Sequence, residues 1–210
     1  LPAYAQQSKA ECWAVIVGVA DYQRQKNLNY ADDDARELAQ RLSPVWGGDH
    51  IKLLLDSEAT KDNIRKAIEW LASKEDADDT VLFFFSGHGD RGGYIAPYDA
   101  NYVGTWISSG ELKDWLEPLE SKKTAIILQT CYAGYYEGNL SGSGRVVLMS
   151  SCSDEDSWEA GMLGHGFFIY YVLEAFGRFT DVDANRDYEL SAEEIFRYAE
   201  PKTVSFSTER

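Results

Sequence analysis

The chain has 210 residues, 44% of them hydrophobic and 13% aromatic, and a formal net charge of −15. That length and composition suit one domain with a sizeable core and exclude a disordered chain. The acidic balance argues against nucleic acid, whose phosphates demand Lys and Arg, and against an anionic membrane surface, and no apolar run is long enough to span a bilayer.

Residues 1–10 read as a tail. Ala3-Tyr4-Ala5 has the small-x-small form of a signal-peptidase site, so the expectation is a secretory remnant and a secreted or periplasmic protein, with a cytoplasmic one as the alternative. The domain proper is expected over 11–210. Strand and helix patterns then alternate, which is the α/β signature. Apolar runs predict strands over 13–19, 50–55, 80–85, 124–129 and 145–151, and 3.6-residue periodicity predicts helices over 32–43, 60–73, 109–118, 162–177 and 191–199. Thr60 with Asn63 opens the second helix, and Ser191 with Glu194 forms a capping box. The segment 92–99 predicts a hairpin, Gly138–Gly144 a flexible stretch, and Thr203-Val204-Ser205-Phe206-Ser207 a sixth strand. Three cysteines cannot form a full disulfide framework, and Cys12 and Cys152, at opposite edges of the sheet, are expected as buried thiols.

Two segments carry chemistry. Phe84-Phe85-Ser86-Gly87-His88-Gly89-Asp90 and Leu128-Gln129-Thr130-Cys131-Tyr132-Ala133-Gly134 each follow a strand and end in a small-residue turn. Ligands gather at the carboxyl ends of parallel strands, so His88 and Cys131 become a base and a nucleophile if the two strands are neighbours. An imidazole can take a thiol's proton, and the N–H groups of Gly87, Gly89 and Cys131 can face a developing oxyanion. A lone Cys is ordinarily a small hydrophobe and a lone His a satisfied polar group. Two glycine-flanked reactive residues at two strand ends are a different matter.

In these residues the sequence resembles the caspase-type cysteine peptidases, and most their bacterial and metacaspase-like branch. Gln129-Thr130-Cys131-Tyr132-Ala133-Gly134 is similar to the caspase string Gln-Ala-Cys-x-Gly, with His88 upstream. Trp13–Val19, Leu28–Ala35 and Gly164–Tyr171 resemble the family's first strand, first helix opening and late helix start, in the family's order. The resemblance implies an α/β three-layer sandwich, with a mostly parallel six-stranded sheet and helices on both faces. It also implies a cysteine endopeptidase acting through a His88–Cys131 dyad, with Gly89 and Cys131 as the oxyanion hole and a backbone carbonyl in place of a third triad member. No cofactor is required for that chemistry.

Specificity follows from the same comparison. Caspases hold a substrate aspartate with arginines. The positions equivalent to two of them are Leu28 and, in Ser157-Trp158-Glu159, Glu159. A buried aspartate there would lack its partner, at a cost of several kcal/mol. Metacaspases hold a basic residue with acidic groups, and Asp34 and Ser86 match theirs. Their third acid is Gln129 here, with Glu159 as a replacement charge. Asp34, Ser86, Gln129 and Glu159 are therefore expected to bind Arg or Lys, and the partners are proteins or peptides with basic residues.

Asp183–Glu194 matches a calcium-loop pattern except for Tyr188 at the turn glycine. Asp183, Asn185, Asp187, Glu189, Ser191 and Glu194 are thus the candidate Ca²⁺ ligands, with an acidic helix-capping loop as the simpler alternative. Two rival functions stand beside the peptidase. One is a catalytically silent interaction module on the same fold, and the other a non-proteolytic calcium-binding protein.

Overall fold

The computed structural model describes residues 10–101 and 104–208; Ala3-Tyr4-Ala5 lies outside the described residues. In chain order the strands are β1 (Cys12–Gly18), β2 (Ile51–Leu55), β3 (Thr80–Ser86), β4 (Gly89–Asp90), β5 (Tyr94–Ile95), β6 (Ile107–Ser108), β7 (Lys123–Gln129), β8 (Arg145–Met149), β9 (Glu159–Ala160) and β10 (His165–Gly166). The helices are α1 (Ala31–Trp46), α2 (Lys61–Ala72), α3 (Ser109–Leu116), α4 (Glu137–Leu140), α5 (Phe167–Gly177), α6 (Phe179–Val182) and α7 (Ala192–Thr208).

The central sheet has five strands in the order β2-β1-β3-β7-β8, all parallel. Strand alternation divides its side chains between two cores. Val15, Val17, Phe83, Phe85, Ile126 and Leu128 pack against α2 and α3 on one face. Ala14, Ile16, Leu82, Phe84 and Ile127 pack against α1, α5 and α7 on the other. With both faces covered, the strands read as unbroken apolar runs. At the carboxyl end of β1, a Cβ on Gly18 would stand 2.6 Å from the Ala35 Cβ and 2.9 Å from the Asp32 Cα. Only glycine lets α1 come this close.

Four expectations are corrected. Thr203–Ser207 is not a sixth strand, because it lies within α7. The alternation Thr-Val-Ser-Phe-Ser reads as period two, but tertiary packing overrides it. The Phe206 ring packs edge-on against Phe167 at 4.7 Å, and Thr203 Oγ1 donates to the Ala199 carbonyl one turn back. Second, α5 begins at Phe167 rather than 162, because β10 pairs antiparallel with β9 and Gly164, with φ of 68°, turns the chain between them. Third, Cys12 is half-buried and Cys152 exposed, so neither is a core thiol, and all three cysteines are free. The Gly138–Gly144 stretch contains most of α4 rather than running as open coil. The hairpin expected beside His88 forms as β4 and β5. No helix among the described residues is long and apolar enough to cross a membrane.

Candidate active site

β3 and β7 are adjacent and parallel, with Ser86 paired to Gln129 at their carboxyl ends. Two residues beyond that pair come His88 and Cys131. The thiol and the imidazole therefore occupy equivalent places on chains about 4.8 Å apart. The turns stay together past the ladder. Gly87 N donates to the Gln129 carbonyl at 3.2 Å, and a Cβ on Gly89 would lie 2.6 Å from the Cys131 carbonyl oxygen. Gly89→Ala must push the two turns apart, and overpacking of this kind costs about 1–3 kcal/mol. A lowered urea midpoint is the expected result, and an unchanged one means that the turns separate freely.

His88 is fixed from two sides. Its backbone N–H donates to the Tyr22 hydroxyl at 2.8 Å, and its ring lies 5.0 Å from the Tyr22 ring. Its Nε2 is 2.7 Å from the Lys26 carbonyl oxygen. A carbonyl only accepts, so the neutral ring carries its proton on Nε2 and keeps the Nδ1 lone pair.

The thiol is held by the backbone of the loop after β8. Ser157 N donates to Cys131 Sγ at 3.3 Å, and Sγ lies 3.5 Å from the Ser157 carbonyl. Side chains lock that loop: Ser157 Oγ accepts from Gln129 Nε2 at 2.7 Å and from Ser150 Oγ at 2.8 Å. Burial pushes the Cys131 thiol above its ordinary range, the Ser157 N–H pulls it back in part, and the Asp156 charge adds to the rise.

Beside the paired Ser86 and Gln129 lies a buried polar cluster. Asp34, 1% exposed, enters from the first turn of α1. Its Oδ2 accepts from Ser86 Oγ at 2.8 Å, and its Oδ1 lies 2.9 Å from His165 Nδ1 and accepts from Gly166 N at 3.2 Å. Burial drives the Asp34 carboxyl upward, against the donors on it. The hydrogen bond to Asp34 drives the His165 imidazole upward as well, so the pair holds its shared proton to higher pH than an exposed histidine would.

Not every expected pocket residue is free to meet a ligand. Gln129 is 6% exposed, and its Oε1 accepts from Ile169 N at 3.1 Å, so both ends of its amide are committed. The Glu159 carboxylate accepts from Asn29 N at 2.9 Å and Tyr30 N at 3.1 Å, tying β9 to the entry of α1 rather than standing as a loose second charge. Sequence reasoning missed His165 and the Ser157 clamp; the resemblance implied a backbone carbonyl beside His88 without naming its residue, and that residue is Lys26. Only His165 left a sequence signal, as one of three histidines, set between two glycines.

The acidic loop is ordered by hydrogen bonds within itself. Asp183 accepts from Arg186 N and Tyr188 N, Asn185 from Asp187 N, and Asp187 from Glu189 N. Glu194 accepts from Ala184 N and from Ser191 N and Oγ. Tyr188 adopts φ of 68°, the left-handed turn that the pattern gives to glycine. Among the described residues no group of three or more His, Cys, Asp or Glu side chains is placed to hold a metal ion. The loop's side-chain oxygens accept from its own backbone amides, which orders the turn ahead of α7.

Residues 11–202 match the caspase domain. The chain belongs to that family. Metacaspase-1 of Botryotinia fuckeliana (strain B05.10) is 25% identical over 142 residues, covering 58% of this chain and 34% of that one. Metacaspase-3 of Arabidopsis thaliana is 36% identical over 86 residues, covering 37% of this chain and 24% of that one. The chain thus spans about a third or less of the length of these relatives. Among solved structures, protein GSU0716 from Geobacter sulfurreducens superposes with a TM-score of 0.68 at 13% identity, covering 89% of this chain and 88% of that one. That likeness supports the fold of this caspase-domain protein, a mostly parallel sheet between two helical layers.

Proposed function

We propose that this caspase-domain protein is a cysteine endopeptidase that cleaves protein or peptide chains after Arg or Lys. The observation that carries the reading is the equivalent placement of His88 and Cys131 at the ends of β3 and β7, with the imidazole proton fixed on Nε2 by the Lys26 carbonyl. In the first step the Cys131 thiol proton passes to His88 Nδ1 as sulfur attacks the carbonyl carbon. The oxyanion faces the N–H groups of Gly89 and Cys131. The imidazolium then gives its proton to the leaving amine, and a water activated by the neutral ring hydrolyses the acyl-enzyme. Ser157 must release the thiol before attack.

The basic preference rests on Asp34, a buried carboxylate held by Ser86. Glu159 shapes the wall by anchoring Asn29 and Tyr30, and Gln129 positions Ser157. A peptidyl-arginine chloromethyl ketone tests the chemistry, since the enzyme should gain one adduct at Cys131. A silent interaction module gains none.

Asp34→Ala should lower kcat/KM for arginyl peptides about tenfold to a hundredfold, because a partly desolvated charge-assisted contact is worth about 1.5–3 kcal/mol. Norleucyl peptides should lose much less. Equal losses on both would place the basic pocket elsewhere. Aspartyl peptides should remain poor substrates throughout.

A further inference from the structure

Outside His88 and Cys131, the side-chain cluster with the most complete geometry is that of His165. His165 stands on β10, with Asp34 and Glu37 of α1 at its two ring nitrogens. Nδ1 is 2.9 Å from Asp34 Oδ1, and Nε2 is 2.9 Å from Glu37 Oε2. A carboxylate oxygen accepts, and a neutral imidazole has only one N–H. With both carboxylates ionised, both contacts are satisfied together only by the doubly protonated ring. The chain therefore carries its own cation against the carboxylate expected to receive the substrate's.

We propose that His165 is a specificity-determining residue, an internal cation that occupies Asp34 and that a substrate Arg or Lys side chain must displace. This rests on the reading that Asp34 binds the basic side chain. The contacts within the cluster make the exchange local. Ser86 holds the other Asp34 oxygen and Gly166 N donates to Oδ1, so Asp34 stays in place when the imidazole leaves. Glu37 keeps Nε2 and is itself braced by Arg41. His165 can thus give up one carboxylate while remaining tied to the other.

The charged and titratable groups around His165 come from every neighbouring element. From α1 there are Asp34, Glu37 and Arg41; from α5 there is Tyr170, whose ring is 6.3 Å away. From β9, Ala160 stands opposite His165, and the adjacent Glu159 is turned toward Asn29 and Tyr30. Two anions against one local cation hold the imidazole proton past the ordinary histidine value of about 6.5. Below that raised range the imidazolium competes fully with the substrate. Above it, one ring nitrogen loses its proton, one carboxylate loses its donor, and the Asp34 site opens to an external cation. Selectivity for Arg over a neutral residue of similar length should therefore increase with pH.

The test uses the full chain, with His165→Asn and His165→Ala beside the wild type and thermal melts to establish folding. The first readout is the ratio of kcat/KM for matched arginyl and norleucyl peptides between pH 5.5 and 9. Titration of the dyad acts on both substrates and cancels in the ratio. The wild-type ratio should rise about tenfold across the range, through KM rather than kcat. In His165→Asn it should start higher and rise less, with only the Asp34 carboxyl left to titrate. The second readout needs no turnover: calorimetric binding of N-acetyl-arginine amide, with the norleucine amide as control. Wild-type binding should tighten with pH and release a proton at the low end, and His165→Asn should show both effects more weakly. A wild-type ratio that is independent of pH, or a variant that binds the arginine amide more weakly, overturns the proposal while leaving the basic pocket standing. Wild-type protein that hydrolyses other peptides but neither cleaves arginyl peptides nor binds the arginine amide removes the basic pocket itself, and the proposal with it.

Discussion

Cys131→Ala is expected to abolish peptide hydrolysis, by at least three to four orders of magnitude, because a nucleophile and its base act as a unit. The fold should survive. The side chain lies half-buried in a turn, and its loss forfeits one N–H···S contact from Ser157, so the melting temperature should move by no more than a few degrees. The other thiols provide the control. Cys12 opens β1 at the amino end of the sheet, away from the strand ends that carry the dyad, and Cys152 is exposed in the loop after β8. Cys12→Ser and Cys152→Ser should both retain activity. Hydrolysis of an arginyl peptide by the three variants, measured at equal concentration, checks the assignment. Turnover in Cys131→Ala within tenfold of wild type would place the nucleophile elsewhere.

The five central strands were legible because packing on both faces makes the inner strands apolar runs, and the half-buried edge strands β2 and β8 keep enough apolar residues to read alike. The equivalent placement of His88 and Cys131 was legible because small-residue turns at strand ends are a local feature, and parallel pairing of β3 with β7 sets them at the same level. What failed had a different range. Thr203–Ser207 alternates like a strand, yet its fate is set by Phe167 and Tyr171 on α5, which its own sequence does not announce. The partners of the buried carboxylate were hidden for the same reason, since Asp34 and His165 are 131 residues apart and no periodicity links them. The Lys26 carbonyl and the Ser157 amide act through main-chain atoms, which every residue has and no motif marks. The placement of the candidate residues was therefore readable where it depends on side-chain identity and strand order, and unreadable where it depends on how loops from distant strands close over them.

His88→Ala should lower hydrolysis by at least about a thousandfold, and the state of the thiol explains why. Burial raises Cys131 above the ordinary thiol value of about 8.5, so at neutral pH the sulfur keeps its proton. A protonated thiol is a poor nucleophile, and something must accept that proton during attack. With Nε2 donating to Lys26, the Nδ1 lone pair of His88 is the acceptor. General-base assistance is worth about 10²–10⁴, and the unit effect adds to it. The accompanying pH behaviour is specific. Alkylation of Cys131 by iodoacetamide needs the thiolate and receives no help from a positioned base. It should therefore rise only as pH climbs past about 8.5, with nearly the same midpoint in wild type and His88→Ala. Peptide hydrolysis by the wild type should reach its plateau at lower pH than alkylation does, because the imidazole removes the proton only as the bond forms. If alkylation instead shows a plateau on the acid side that disappears in His88→Ala, the thiolate and imidazolium exist as a pair before substrate arrives. Sulfur would then attack already ionised, and His88 would act first as the acid that protonates the leaving amine.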